Sequence, residues 1–151
     1  KYPDDFDKRW NRAAELMDKG EYKEAISTYM ILISSLEKSP ARGACWYNVA
    51  CAYMRLKNEN SALISIGNAI KDGFRKTEQF EIDEDLKPLH NHALFKYYIK
   101  LLKENNSDVL DNLDIKKLTK EADSFTVACD YDIEGEKFQD IFRGFGRFDT
   151  F

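Results

Sequence analysis

Two histidines and two nearby aspartates are the side chains whose types and spacing most resemble a metal or catalytic site. His90 and His92 flank Asn91, and Asp83 and Asp85 precede them by a few residues. Imidazole and carboxylate groups are common zinc ligands. Residues i and i+2 lie about 200° apart around a helix, however, so both histidines could bind one ion only from a loop. The simpler interpretation is that they are surface or helix-capping residues, and we predict no metal site.

Other motifs for catalysis or ligand binding are absent from the sequence or incomplete. It contains no P-loop, HExxH, CxxC, GxGxxG or nucleophile elbow. Residues 130–135 begin like an EF-hand loop, but the twelfth position is Ile141, where calcium requires a bidentate carboxylate. Residues 143–148 are rich in Arg and Gly but lie in a net-negative region, which offers little attraction for nucleic acid. We therefore expect a non-enzymatic chain with no cofactor and no nucleic-acid partner.

Any functional site must be positioned by the helices or strands of a single chain. The chain has 151 residues, of which 43% are hydrophobic and 33% charged. This length suffices for one domain with its own core. The longest apolar run is the six residues 49–54, far below the roughly 20 residues that span a bilayer, so we expect no membrane insertion.

Charge and phenylalanine divide the chain into two regions. Residues 1–104 carry 17 Lys and Arg against 16 Asp and Glu, a net charge of +1. Residues 105–151 carry 6 against 11, a net charge of −5, and the sum is the −4 of the whole chain. Six of the ten phenylalanines lie in the last 27 residues. We predict a helical domain over residues 1–104 and an acidic, Phe-rich extension over residues 105–151.

The three cysteines and the first residue indicate little about chemistry. Cys45, Cys51 and Cys129 have no metal-type spacing, and each is expected to be a small, buried hydrophobic residue.

The chain begins with Lys1 rather than Met, which favours a processed or trimmed product and a periplasmic or cell-envelope location over a cytoplasmic one.

Apolar residues recur every three or four positions through the first region, which is typical of amphipathic helices. The predicted helices span residues 6–18, 22–36, 44–56 and 61–71. Gly20 provides a natural stop for the first helix, and Ser39-Pro40 is expected to end the second. Loops of two to five residues between such helices favour antiparallel hairpins.

The sequence also repeats itself at an offset of 37 residues. This offset superposes Asn11 on Asn48, Ala13 on Ala50 and Met17 on Met54. The second copy resembles the tetratricopeptide repeat (TPR), whose pattern is W-x2-L-G-x2-Y…A-x3-F. Its signature positions hold Trp46, Val49, Ala50, Tyr53, Ala62, Ile66 and Ala69, in that order. The first copy matches at Ala13, Leu16, Gly20, Tyr22, Ala25 and Tyr29.

A third, incomplete unit follows the two repeats. Asp83, Leu86, Pro88 and Leu89 belong to a D-x-D-L-x-P-L stretch that is similar to the terminal unit of many bacterial TPR proteins. The resemblance places Pro88 in the first turn of a last amphipathic helix that contains residues 95–102. It implies an all-α, right-handed TPR-like array of helical hairpins with about two and a half repeats, followed by a helical C-terminal extension.

The same resemblance implies a concave face lined by the first helix of each repeat. The predicted peptide-binding residues on this face are Trp10, Asn11, Met17, Tyr47, Asn48, Cys51, Met54 and Arg55. Asn11 and Asn48 could hold the main chain of an extended peptide, since an amide side chain both donates and accepts hydrogen bonds. The alternative is that the asparagines are solvated surface residues and the methionines are packed. A carboxylate clamp for chaperone tails is not expected, because only Asn48 matches that set.

The C-terminal extension is predicted to contain one or two short helices over residues 109–122, with Leu110, Leu113, Ile115 and Leu118 pointing inward. Beyond them Phe138, Ile141, Phe142, Phe145 and Phe148 form an apolar stripe. An exposed patch of this size is costly on a monomer. We expect the stripe to pack on the repeats, on a partner or in a homodimer.

These features together predict a non-catalytic protein–protein interaction module that binds a peptide or scaffolds an assembly. The alternatives are a regulatory or accessory domain of an enzyme, or a small enzyme that uses the region of His90 and His92.

Overall fold

Four long α-helices form two successive hairpins at the start of the chain. The computed structural model describes residues 4–121. The long helices are α1 (Phe6–Asp18), α2 (Tyr22–Ser35), α3 (Pro40–Arg55) and α4 (Glu59–Asp72). Connections of three or four residues make each helix turn back along the previous one. α2 packs against both α1 and α3, and α3 packs against α4, so α1 and α3 run in the same direction.

Shorter helices follow and close the far side of the second hairpin. They are α5 (Thr77–Ile82), a 3-10 helix (Glu84–Leu89), α6 (Ala93–Glu104), α7 (Ser107–Leu110) and α8 (Ile115–Lys120). Residues 4–121 contain no strand, and the predicted all-α fold class is confirmed. Within the same residues, none of the helices is long and apolar enough to cross a membrane.

Glycine ends two of the long helices by adopting the left-handed backbone conformation. Gly20 follows α1 with φ of +77°, and Gly73 follows α4 with φ of +113°. Glycine has no Cβ and reaches this region without the strain that other residues meet. The prediction that Gly20 stops the first helix is confirmed.

α3 begins four residues earlier than predicted, and the role assigned to Ser39-Pro40 is wrong. These two residues start α3 and do not end α2, which stops at Ser35. The Ser39 hydroxyl accepts a hydrogen bond from the Arg42 backbone N–H at 3.2 Å, and Pro40 is the first helical residue. Proline suits this position because the first N–H of a helix has no partner within the helix.

The predicted place of Pro88 is also wrong. Pro88 lies inside the separate 3-10 helix, and α6 begins five residues later at Ala93. The turn between them ends at His92, whose Nδ1 accepts a hydrogen bond from the Leu94 backbone N–H at 3.1 Å. This capping contact sets the start of α6.

α3 lies at the centre of the fold and contributes to two apolar clusters. Cys45 and Val49 pack with α1 and α2, whereas Ala50 and Met54 pack with α4 and the helices after it. The alanines predicted to allow close helix packing are all fully buried: Ala13, Ala25, Ala50, Ala62 and Ala69. Cys45 and Cys51 are buried free thiols, as predicted, and Cys129 lies outside the described residues.

The start of α3 meets the end of α4 through an ion pair and a close backbone contact. Arg42 Nε donates to Asp72 Oδ2 at 2.7 Å and Arg42 Nη2 donates to Asp72 Oδ1 at 3.2 Å. The Asp72 side chain is only 6% exposed. A Cβ at the neighbouring Gly43 would lie 2.7 Å from the Ala69 carbonyl oxygen, so only glycine fits between the two helices.

The first part of the predicted extension packs into the helical core. Leu110, Leu113, Ile115 and Leu118 are all buried in the cluster formed with α4 and α6, and their inward orientation is confirmed. The Asp114 carboxylate caps α8 by accepting from the Lys117 backbone N–H at 3.1 Å. The predicted Phe stripe and the EF-hand-like segment lie outside the described residues.

Candidate functional site

Matching stripes of α1 and α3 are left exposed or half-buried by the packing, except at Cys51, which is buried. Asp7, Asn11, Ala14 and Asp18 follow one another at steps of four, three and four residues, which places them within about 60° around α1. The 37-residue offset carries these positions to Ala44, Asn48, Cys51 and Arg55 on α3. We call the open face the set Asp7, Asn11, Ala14, Asp18, Ala44, Asn48 and Arg55, all of them exposed or half-buried.

The two stripes face the same side of the molecule. α1 and α3 run in the same direction with α2 packed against both, and the stripes occupy equivalent positions on them. Met17 of α1 packs against both apolar clusters and so bridges the two hairpins. The Arg55 guanidinium at the end of α3 lies 5.2 Å from the centre of the Tyr22 ring. Met17 therefore links α1 to the second hairpin, and Arg55 links the end of α3 to the start of α2.

The asparagines of the open face have unengaged amide groups. Asn11 is exposed and Asn48 is half-buried, and neither side chain hydrogen-bonds another residue in the part of the chain that the structure describes. Each amide offers two N–H donors and a carbonyl acceptor. The pair can therefore bind groups that both donate and accept, such as peptide bonds.

Tyr47 and Cys51 face away from solvent and contact Asp83, the residue before the 3-10 helix. The Tyr47 hydroxyl donates to Asp83 Oδ2 at 2.5 Å, and Cys51 Sγ lies 3.7 Å from the same oxygen. Their side chains are only 5% and 4% exposed. Burial raises the pKa of both groups, and the Asp83 carboxylate raises it further. The two side chains therefore link α3 to Asp83, and neither side chain is accessible to a ligand.

Arg55 is exposed but already engaged by its neighbours. Its Nη1 donates to Asp85 Oδ1 at 3.2 Å, and its guanidinium stacks on Tyr22. The hydrogen bond to Asp85 raises the pKa of Arg55. This arrangement forms one end of the open face, where α2, α3 and the 3-10 helix meet.

The remaining predicted site residues are largely packed against the protein. Trp10 is half-buried, with its ring stacked on Phe6 at 5.9 Å and edge-on to Tyr29 at 5.7 Å. Met17 is half-buried and Met54 is 7% exposed. Of the eight predicted residues, the structure leaves Asn11, Asn48 and Arg55 most open on one surface. Their role in peptide binding stays a prediction.

One group of side chains has the composition of a metal site. Cys51 Sγ and carboxylate oxygens of Asp83 and Asp85 lie within 4.8 Å of one another. Asp83 is bonded to Tyr47 and Asp85 to Arg55, so each carboxylate already has a protein donor. The group acts as a junction between helices.

The two histidines serve different elements. His92 caps α6, as anticipated for a capping residue. The His90 ring stacks on Phe95 at 5.3 Å and borders a cavity of about 310 Å³ that Glu81, Lys96 and Ile99 also line. His90 Nε2 is buried and makes no hydrogen bond within the described residues. The histidines therefore do not form a pair at one site.

Comparisons with known proteins give one partial similarity. No protein-family model matches the chain, and no solved structure matches it. It is 27% identical over 86 residues to a chloroplastic protein of Arabidopsis thaliana. The aligned part covers 57% of this chain and 26% of that protein. The chain thus spans about a quarter of the length of the relative it matches.

Two contributors to this region are not among the predicted site residues. Asp83 holds Tyr47 and Cys51, and Tyr22 supports Arg55. Asp83 belongs to the D-x-D-L-x-P-L stretch, but this motif does not predict its contact with Tyr47, which lies 36 residues earlier in the chain. Tyr22 is a repeat-signature residue, so it is predicted as packing and not as support for an arginine.

Proposed function

We propose that this chain is a non-catalytic protein–protein interaction module whose open face binds an extended peptide, and that its hairpins form a TPR-like array. The observation that carries the proposal is the pair Asn11 and Asn48. Both occupy the same position in copies 37 residues apart, both lie on the open face, and neither amide is used within the described residues. The order of the helices and the shared role of α3 in two clusters are compatible with a repeat array.

The chemistry of the face suits a main chain better than a specific side chain. An extended peptide presents alternating N–H and C=O groups, and an Asn amide pairs with both at once. α1 and α3 each supply one such amide, so two separated points of the peptide are held. The small side chains Ala14 and Ala44 leave room for the backbone between these points.

A peptide selection tests this proposal without a known partner. The full chain is immobilised and offered a phage library of random peptides about 12 residues long, which span up to about 40 Å when extended. The most enriched sequence is synthesised with a fluorophore, and its affinity is measured by fluorescence anisotropy. The same measurement is made on Asn48→Ala, on Asn11→Ala and on the matched control Asn60→Ala, whose side chain is exposed at the start of α4.

The expected result is a loss of binding that is confined to the open face. Removing two neutral hydrogen bonds weakens binding by roughly tenfold for each site variant, while Asn60→Ala binds like the wild type. The urea midpoint of Asn48→Ala stays unchanged because its amide has no partner within the described residues. If no enriched peptide depends on Asn11 or Asn48, the proposed function is wrong.

A second candidate function uses the cavity beside His90. Its charged and apolar lining, with Glu81, Lys96 and Ile99 around the ring, would suit a small ligand of an accessory or enzymatic domain. Thermal-shift screening of a metabolite set tests it. A ligand that raises the melting temperature of the wild type but not of Lys96→Ala would favour this candidate over the peptide-binding module.

A further inference from the structure

The ionisable groups of the open face are predominantly acidic. Asp7 and Asp18 are exposed at its two ends on α1, and neither makes an ion pair within the described residues. The single cation of the face is Arg55, and Asp85 already neutralises it at 3.2 Å. The face therefore presents two free carboxylates and no free positive charge.

The other cations on or beside α1 lie outside the stripe that contains Asn11. Arg9 pairs with Asp5, and Arg12 and Lys19 both pair with Glu15, at 3.1 and 3.4 Å. Lys8 is exposed and makes no ion pair within the described residues, but it lies about 100° around α1 from Asp7. The free acidic groups and the unengaged amides thus share one strip of surface.

We propose that the peptide bound by the open face is basic, with Lys or Arg side chains that pair with Asp7 and Asp18; this rests on the proposed function above. Asp7 lies four residues before Asn11 and Asp18 seven residues after it. At 1.5 Å per residue these separations are about 6 and 10 Å along α1. A peptide held at Asn11 has a carboxylate on each side within reach of a long basic side chain.

Uncompensated carboxylates on a binding surface favour such a partner in two ways. They attract a cationic segment before contact, which raises the association rate at low salt. They also disfavour an acidic segment, because like charges at an interface are repelled. The asparagines would hold the backbone, and the aspartates would select the side chains.

A charge exchange tests the proposal. The full chain, its Asp7→Lys/Asp18→Lys variant and a control variant Glu24→Lys/Glu37→Lys are each offered the same random-peptide phage library. Glu24 and Glu37 are exposed on or beside α2, so the control carries the same change in net charge elsewhere. The measured quantity is the mean net charge of the enriched peptides. An Asp7→Asn/Asp18→Asn variant covers the case in which the lysine variant does not fold.

The proposal expects basic peptides on the wild type and on the control, and neutral or acidic peptides on Asp7→Lys/Asp18→Lys. The best wild-type peptide should bind Asp7→Asn/Asp18→Asn about two- to fivefold more weakly per lost pair, and sodium chloride should weaken wild-type binding.

Two other outcomes are distinguishable from each other. Enriched peptides without charge bias that still depend on Asn11 and Asn48 would overturn the basic partner and leave the proposed function standing. Enriched peptides that depend on neither asparagine, or none at all, would overturn both.

Discussion

Replacing Tyr47 by Phe tests whether the buried side of α3 stabilises the fold independently of the proposed peptide-binding side. The change removes only the hydroxyl that donates to Asp83 Oδ2 at 2.5 Å. Asp83 then keeps its contact with Cys51 Sγ and its capping bond to the Asp85 backbone N–H at 2.9 Å. A hydrogen bond to a charged acceptor contributes about 1.5–3 kcal/mol. The free energy of unfolding should fall by about this amount.

Urea denaturation followed by circular dichroism measures this loss. With an m value of about 2 kcal/mol/M, the midpoint should fall by roughly 1 M. Tyr53→Phe is the matched control, because Tyr53 is half-buried on the same helix and its hydroxyl makes no hydrogen bond within the described residues. The control should keep its free energy of unfolding within about 0.5 kcal/mol of the wild type.

The neighbouring variant Asn48→Ala should behave in the opposite way. Tyr47 and Asn48 are one residue apart and point about 100° apart around α3, toward Asp83 and toward solvent respectively. Tyr47→Phe should lose stability and keep its affinity for a selected peptide, whereas Asn48→Ala should lose affinity and keep its stability. A Tyr47→Phe protein with an unchanged midpoint and weakened peptide binding would refute this reasoning and make Tyr47 a ligand contact.

Three further predictions concern the framework that holds the open face. Breaking a buried ion pair costs about 3–5 kcal/mol. Arg42→Met should lower the free energy of unfolding by about 3 kcal/mol, the lower end of that range, because Asp72 is 6% exposed but Arg42 is about a third exposed. Arg12→Met, which removes an exposed pair, should cost under about 1 kcal/mol. Gly43→Ala should cost about 1–3 kcal/mol, since its Cβ would meet a backbone oxygen at 2.7 Å. Stability should also fall above about pH 9: burial raises the pKa of the Cys45 thiol to about 12, so the unfolded thiol ionises at its usual 9.0 while the folded one stays protonated.

Urea midpoints measured across a pH series and on each variant decide these three points. Equal losses for Arg42→Met and Arg12→Met would mean that burial does not control the ion pair at Asp72. A Gly43→Ala protein as stable as the wild type would mean that α3 and α4 are not in close contact there. Constant stability between pH 9.0 and about 12 would contradict the burial of Cys45.

The four long helices could be predicted from the sequence because their apolar periodicity is sustained over three turns or more. α5 could not, since it has six residues and a single buried side chain, Phe80. Pro88 was misplaced because a proline in the first turn of an α-helix and one inside a 3-10 helix leave the same local pattern. The start of α3 could not be predicted because a Ser-Pro pair is compatible both with the end of one helix and with the N-terminal cap of the next.

The candidate site was predictable only in part. The 37-residue offset finds Asn11 and Asn48, whose side chains the structure leaves open. The same offset assigns Tyr47 and Cys51 to a ligand surface, but Asp83, at the start of the 3-10 helix, covers them. Contacts between residues more than 30 positions apart leave no local signal in one sequence, so the covering residue could not be deduced.

A nuclear magnetic resonance titration of the ¹⁵N-labelled full chain with a selected peptide tests the central claim most directly. The claim is that the open face binds a peptide through Asn11 and Asn48. It predicts that the side-chain amide signals of these two residues shift together and saturate at the affinity measured by anisotropy, while the signals of Asn60 stay in place. Shifts confined to the residues around His90, with Asn11 and Asn48 unchanged, would contradict it.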